Sequence, residues 1–285
     1  MASKKKSLAE KDVTNGGSAL GEAIGNYLEV VLHEEIRKFL EGTEYHFMSS
    51  IGYNPNRKRR YKSVFLFDLA GTKYNLDGII ADSQNRPIVL LESKYIRYAK
   101  HNRDKGSWIC NTHSQLKRAY PSIKGSISVL AGTWTESSLA MIRSFGFNYL
   151  VIPFKTIANI FAKYNIDLNW EENQPQKAMR AWALYSAALS EEDRQNIAIE
   201  MMEVIREGLL ALLKSILIDK NQRRLKDFQI EVTSTTGEVI LQRFGSVEEL
   251  IEYYSLFDIN KVFNEAKFRD VYFWPEDPDL DAYED

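Results

Sequence analysis

The spacing of apolar residues changes period several times along the first half of the chain. Over residues 18–40, Ile24, Leu28, Val31, Leu32 and Ile36 recur at helical spacing, which predicts a helix with one buried face and Ser18 as its cap. The period then shortens to strand-like runs over residues 45–49, 64–69, 73–81 and 87–94. Turn residues separate them, notably Ala70-Gly71 and Asp82-Ser83-Gln84-Asn85-Arg86. A helix follows over 107–120, stopped by Pro121, and strands over 126–132 and 149–154 then alternate with helices over 136–145 and 155–164. An antiparallel meander followed by alternating strands and helices predicts an α/β sheet with a parallel portion.

Beyond Trp170 the pattern turns mostly helical. Residues 176–188 are alanine-rich, and Ser190 with Asp193 in reciprocal capping positions opens one long helix. Its stripe of Ile197, Met201, Val204, Ile205, Leu209, Leu212, Leu213 and Ile216 is suited to pack on the core or on a second copy of itself. Residues 228–234 and 238–244 predict a hairpin around Thr235-Thr236-Gly237. Ser246 with Glu249 then opens a short helix holding Leu250, Ile251 and Tyr254.

Composition narrows the function classes. With 285 residues, 44% hydrophobic and 27% charged, the chain has an ordinary soluble composition, enough for one large domain or one core with an appended module. It contains no apolar run of membrane-spanning length, and Lys4-Lys5-Lys6 lacks the apolar core of an export signal, so no membrane partner is expected. One cysteine, Cys110, cannot form an internal disulfide, which points to a cytoplasmic home. His33, His46, His101 and His113 lack zinc spacing, and neither a Walker loop nor a nucleophile elbow is present. The net charge of -2 conceals a polar distribution. Between Lys94 and Arg118 seven cations, among them Arg97, Lys100, Arg103, Lys105 and Lys117, face Asp104 alone, while residues 275–285 are acidic. A second basic run, Arg57-Lys58-Arg59-Arg60, lies between Tyr53 and Tyr61. Focused positive charge is the footprint of a polyanionic ligand, and its alternative is a solvated loop.

The chemistry concentrates in residues 73–94. Alternation along a strand sends Glu92 and Lys94 out of one face, about 7 Å apart, and antiparallel pairing would bring Asp77 beside Glu92. Two carboxylates and an ammonium at one place suit a hard divalent cation and an activated water. Asp77, then Glu92-x-Lys94 after the Val89-Leu90-Leu91 run, resembles the PD-(D/E)xK nucleases, the restriction-endonuclease-like superfamily, with Leu76 where the family name has proline. The order of strand, acid, hairpin, strand, acid-x-lysine, basic segment and helix strengthens the likeness, which covers residues 18–154.

The resemblance implies an α/β restriction-endonuclease-like core of helix, three-strand meander, helix and strand. It implies Mg²⁺ as cofactor, with Mn²⁺ as a substitute, held by Asp77, Glu92, the backbone carbonyl of Ser93 and an acid on the first helix. Glu29 is the choice for that acid, and its other reading is a solvated helical glutamate. Lys94 would orient or help deprotonate the attacking water. Arg57, Lys58, Arg59, Arg60, Arg97, Lys100, Arg103, Lys105, Gln115, Lys117 and Arg118 would contact double-stranded DNA. Gln115, Lys117 and Arg118 are equally compatible with exposed helix positions, and Tyr120 lies one residue too far from Gln115 for the family's glutamine-x-x-x-tyrosine branch.

The expected organisation is a disordered basic tail at 1–17, a nuclease core at 18–165, a helical and hairpin extension at 166–274 for dimerisation or DNA recognition, and an acidic disordered tail at 275–285. The expected activity is that of a site-specific type II restriction enzyme, a homodimer, compatible with a cognate DNA methyltransferase. A junction-resolvase-like nuclease and a non-catalytic DNA-binding module on the same fold are the alternatives.

Overall fold

Asn15, rather than Ser18, caps the first helix: its side-chain oxygen accepts from the Ser18 backbone N–H at 2.9 Å, and α1 runs Gly16–Leu40. The helix therefore begins inside the expected N-terminal tail. The computed structural model describes residues 13–49, 64–219 and 226–264, so Arg57, Lys58, Arg59, Arg60 and the acidic tail lie outside the described residues. The chain divides into two compact units, Met1–Asp219 and Lys220–Asp285.

The strands in chain order are β1 (His46–Ser49), β2 (Val64–Phe67), β3 (Lys73–Leu76), β4 (Gly78–Ala81), β5 (Pro87–Ile96), β6 (Gly125–Gly132) and β7 (Asn148–Pro153). Five of them form one sheet in the order β1-β4-β5-β6-β7, with the β1–β4 and β4–β5 pairs antiparallel and the β5–β6 and β6–β7 pairs parallel. The run over 73–81, expected as one strand, is two. β3 pairs with β2 as a separate ribbon, and the chain leaves it at Asp77 to enter the main sheet as β4. At the first residue of β4, Gly78 leaves room for the Phe47 ring, which a Cβ there would meet at 2.6 Å.

Helix α2 (Asn102–Ala119) starts earlier than expected, which puts Arg103 and Lys105 on a helix rather than in a loop. Buried Asn102 fixes this start: its amide donates to the Ala99 and Thr133 carbonyls at 2.9 and 2.8 Å, and its oxygen accepts from the Thr135 N–H. Helix α3 (Glu136–Ser144) links β6 to β7, as α2 links β5 to β6, the crossover that parallel strands require. Next come α4 (Phe154–Ala162), α5 (Pro175–Ala183), a π-helical turn at Leu184–Ala188, α6 (Glu191–Glu203) and α7 (Arg206–Leu217).

The capping box of Ser190 and Asp193 is present, but the long helix it opens breaks at Val204 and Ile205. Val204, expected in the apolar stripe, is exposed, whereas Ile197, Met201, Ile205, Leu209, Leu213 and Leu217 are buried with Leu20, Ile24, Leu28 and Ile36 in one core. That stripe completes the core of the first unit, which runs to Asp219.

The second unit holds a hairpin of β8 (Phe228–Thr233) and β9 (Val239–Phe244), turned at Gly237 with φ 96°, then α8 (Val247–Ser255) and α9 (Ile259–Asn264). Ser246 caps α8 as expected, but Ile251 and Tyr254 are exposed and Leu250 is half-buried. No helix among the described residues is long and apolar enough to cross a membrane.

Candidate active site

The register between β4 and β5 builds the site. Gly78 pairs with Leu91, so Asp77, one residue earlier, arrives opposite Glu92. The Asp77 carboxylate accepts from the Ser93 backbone N–H at 2.8 Å and from Lys94 Nζ at 2.9 Å through the same oxygen, Oδ2. Lys94 Nζ also lies 2.5 Å from Glu92 Oε1. One ammonium thus bridges two carboxylates that come from different strands. Asp77 and Lys94 keep about a quarter of their side-chain surface in solvent, at 25% and 23%, whereas Glu92 retains 3%. The cluster opens to solvent on the Asp77 side and is closed behind Glu92.

Burial governs its electrostatics. Desolvation, reinforced by the Asp77 charge and only partly offset by Lys94, pushes the Glu92 carboxyl up to about 7. For Lys94, burial favours the neutral amine, but the Glu92 and Asp77 charges outweigh it and hold the ammonium above its ordinary range. The second carboxylate oxygen, Glu92 Oε2, is buried without a hydrogen-bond partner among the described residues.

That atom belongs to a layer that the sequence did not reveal. Ser128 is the β6 register partner of Glu92, and Ser126 is two residues back on the same face. Helix α2 covers them with His113, whose Nδ1 lies 2.5 Å from Ser126 Oγ. His113 Nε2, Ser128 Oγ and Thr112 Oγ1 are likewise buried without partners. Burial, then the charges of Lys94 and Lys117, push His113 down to about 3 and keep it neutral. An unpaired buried polar atom costs on the order of 1–3 kcal/mol, so this polar layer is a costly one for the fold to keep. The available signal was the serine-apolar alternation of Ser126-Ile127-Ser128-Val129, which reads as a solvent face until a helix is known to cover it.

The other expected residues fall into three groups. Glu29 lies 3.8 Å from His33 Nε2. His33 is buried against the Phe47 ring and pushed down to about 4 by burial and by Arg37, with Asp77 opposing. Among the described residues no group of three or more His, Cys, Asp and Glu is arranged to hold a metal ion. Arg97 is not a surface contact. It donates to the Trp170 carbonyl at 2.7 Å, and its guanidinium sits over the Trp170, Phe154 and Tyr98 rings at 3.9, 4.8 and 5.2 Å. Lys100 pairs with Glu172. Arg103, Lys105 and Arg118 are exposed on α2, Gln115 is half-buried, and half-buried Lys117 lies over the Phe147 ring.

Comparison with protein-family models, characterised proteins and solved structures finds no match to this chain. The functional reading therefore rests on the residues and their geometry.

The pair of carboxylates fits Mg²⁺. This ion keeps several of its waters and is commonly held through one or two carboxylates together with substrate phosphate. Glu92 Oε2 supplies an unpartnered carboxyl oxygen that a cation would help to ionise, and the Lys94 ammonium already marks the place between the carboxyl groups as one that favours positive charge.

Proposed function

We propose that this chain is a Mg²⁺-dependent nuclease that hydrolyses phosphodiester bonds in DNA on a restriction-endonuclease-like core. The observation that carries the reading is the convergence of Asp77 and Glu92 on Lys94, with one oxygen of the buried Glu92 carboxylate unpartnered. The order of a helix, antiparallel strands and then helix-linked parallel strands supports the core assignment.

Asp77, Glu92 and the Ser93 carbonyl would hold Mg²⁺, or Mn²⁺ in its place, and the ion would supply Lewis acidity toward water and phosphate. Lys94, held as an ammonium by its two neighbours, acts as a donor: it orients the attacking water and stabilises charge growing on the phosphate oxygens. It takes up a proton only after it has first lost one, which its carboxylate partners oppose in the free protein. The neutral layer of His113, Ser126 and Ser128 lies on the same face of the sheet as Glu92 and helps to exclude water from it. As a type II restriction enzyme the chain would act as a homodimer on double-stranded sites, one active site per strand.

Purified wild type and Glu92→Ala, incubated with phage genomic DNA in Mg²⁺ or in EDTA, test this on a gel. Discrete bands that need both Mg²⁺ and Glu92 are expected. Wild type and variant that leave linear, branched and single-stranded DNA equally intact would sink the reading. A structure-selective nuclease is the second reading, favoured by the exposed phenylalanines of the β2–β3 ribbon.

A further inference from the structure

We propose that the outer face of the β2–β3 ribbon is a stacking platform that guides an unpaired nucleic-acid strand to Asp77, Glu92 and Lys94. The proposal rests on the nuclease reading for what happens at the end of the platform, while the platform itself is argued from the ribbon.

The two faces of the ribbon differ. Val64, Leu66, Tyr74 and Leu76 point inward and pack with Ile79, Leu90 and Leu116. Phe65, Phe67, Lys73 and Asn75 occupy the outer face, where polar residues are the rule for a half-covered ribbon. Phe65 and Phe67 are instead 43% and 46% exposed. Their rings meet edge to face with centroids 5.5 Å apart, and the Lys73 ammonium lies 3.9 Å above the Phe65 ring. An exposed cation–π contact is weak, so this ammonium is available to a phosphate. The nearby Asp68 carboxylate is committed to its own turn, accepting from the Ala70 and Thr72 N–H groups at 2.9 and 2.8 Å and from the Tyr74 hydroxyl. The outer face thus offers two aromatic rings, an ammonium and an amide, with no acid in either strand.

Position selects the occupant. Lys73 and Asn75 alternate along β3, which ends at Leu76, and Asp77 follows at the bend where the chain leaves the ribbon for β4. Phe65 pairs with Asn75 and Phe67 with Lys73. At strand rise their partners Asn75 and Lys73 lie no more than about 7 and about 13 Å along the chain from Asp77. A polyanion bound along this face lies within a few residues' length of the carboxylate pair, at the end where β3 hands the chain to Asp77. Flat rings are of use to it only if its bases show their faces, and in a duplex those faces are already stacked on each other. An unpaired strand fits both features, with bases on Phe65 and Phe67 and backbone on Lys73.

The test is fluorescence anisotropy on the full chain in EDTA, using a labelled oligothymidylate, an oligouridylate and a duplex of equal length. Wild type is expected to bind at least one single strand about tenfold more tightly than the duplex. The Phe65→Ala/Phe67→Ala variant should lose about tenfold or more of that affinity while binding duplex as before. Phe67→Tyr, which keeps the ring, should bind as wild type does, and circular dichroism checks that each variant is folded. Should the double variant fail to fold, Lys73→Glu replaces it and should weaken single-strand binding several-fold. Unchanged single-strand affinity in the substituted protein, or a wild type that prefers duplex, overturns the platform. So does a substitution that converts a dimer to a monomer without touching affinity, since the occupant is then a second copy. Cleavage with Mg²⁺ is scored separately. Cutting by a variant with unaltered binding removes the platform and leaves the nuclease, whereas ring-dependent binding without cutting under any metal does the reverse.

Discussion

The two faces of β5 and β6 come from alternate residues of the same strands, yet one is dry and the other polar. Toward α1 the strands present Val89, Leu91, Ile127, Val129 and Ala131, which merge with Leu20, Ile24, Leu28 and Ile36 in a continuous apolar core. Toward α2 they present Leu90, Glu92 and Lys94 beside Ser126, Ser128 and Leu130, and His113 closes over the serines. A single step along the chain separates a leucine that stabilises the fold from a glutamate that burial makes reluctant to ionise. Stability and chemistry are segregated by strand parity, and so can be perturbed one at a time.

The sharpest way to break this contrast is to truncate one residue on each side of it. Leu28→Ala on the dry side should cost about 2–5 kcal/mol in urea unfolding, through lost burial and a cavity, while the remaining folded protein still cleaves. Glu92→Gln on the polar side should reduce cleavage by a factor on the order of a thousand. It should leave the unfolding midpoint at neutral pH equal or higher, because burial disfavours the ionised Glu92 carboxyl while Asp77 still pairs with Lys94. A Glu92→Gln protein as unstable as Leu28→Ala would mean that the polar layer holds the fold together rather than serving the site.

Much of the dry side was legible in the sequence and little of the polar side was. The α1 stripe and the β5 run follow from periodicity, because a buried apolar face must repeat with the element that carries it. Asp77, Glu92 and Lys94 were legible because strand alternation and hairpin register are local rules, and the structure brings all three together. His113 and Ser128 were not, because their partners lie across a helix–sheet contact that no local pattern encodes. Arg97 was misleading for a related reason: in a basic segment it reads as a surface cation, and only the return of the chain at Phe154 and Trp170 encloses it. The break at Asp77 was hidden because β3 and β4 share one apolar rhythm while pairing with different strands.

A smaller effect separates the polar layer from the histidines around it. Glu92 binds its proton more tightly folded than unfolded, with a folded pKa of about 7 against an ordinary value of 4.5. In that window the folded chain holds the extra proton, so this group lowers stability as pH rises. His33 has the opposite sign. Its folded value of about 4 lies below the ordinary 6.5, so the unfolded chain holds the extra proton and stability falls as pH drops through that window. The slopes oppose each other in wild type. In Glu92→Gln the opposing slope is gone, so urea midpoints measured from acid to neutral pH should climb more steeply than in wild type. The gap between the two proteins should widen up to about pH 7. A gap that stays constant with pH would show that Glu92 does not titrate in a buried state.

The smallest expected effect concerns the cations of the basic segment, which the structure divides into enclosed and exposed. Arg103→Ala and Lys105→Ala change side chains that stand in solvent on α2, and each should alter stability by no more than about 0.5 kcal/mol. If these residues track a phosphate backbone, each substitution should also lower the slope of log affinity against log salt by about one, with equal loss on every DNA sequence. Arg97→Ala should do the reverse. Its guanidinium is stacked on Trp170 and bonded to that residue's carbonyl, so removal should destabilise the fold on the order of 1–3 kcal/mol and leave the salt slope unchanged. Were Arg97 to change the salt slope while Arg103 did not, the division into enclosed and exposed cations would fail, and the face of α2 would lose its claim to the nucleic acid.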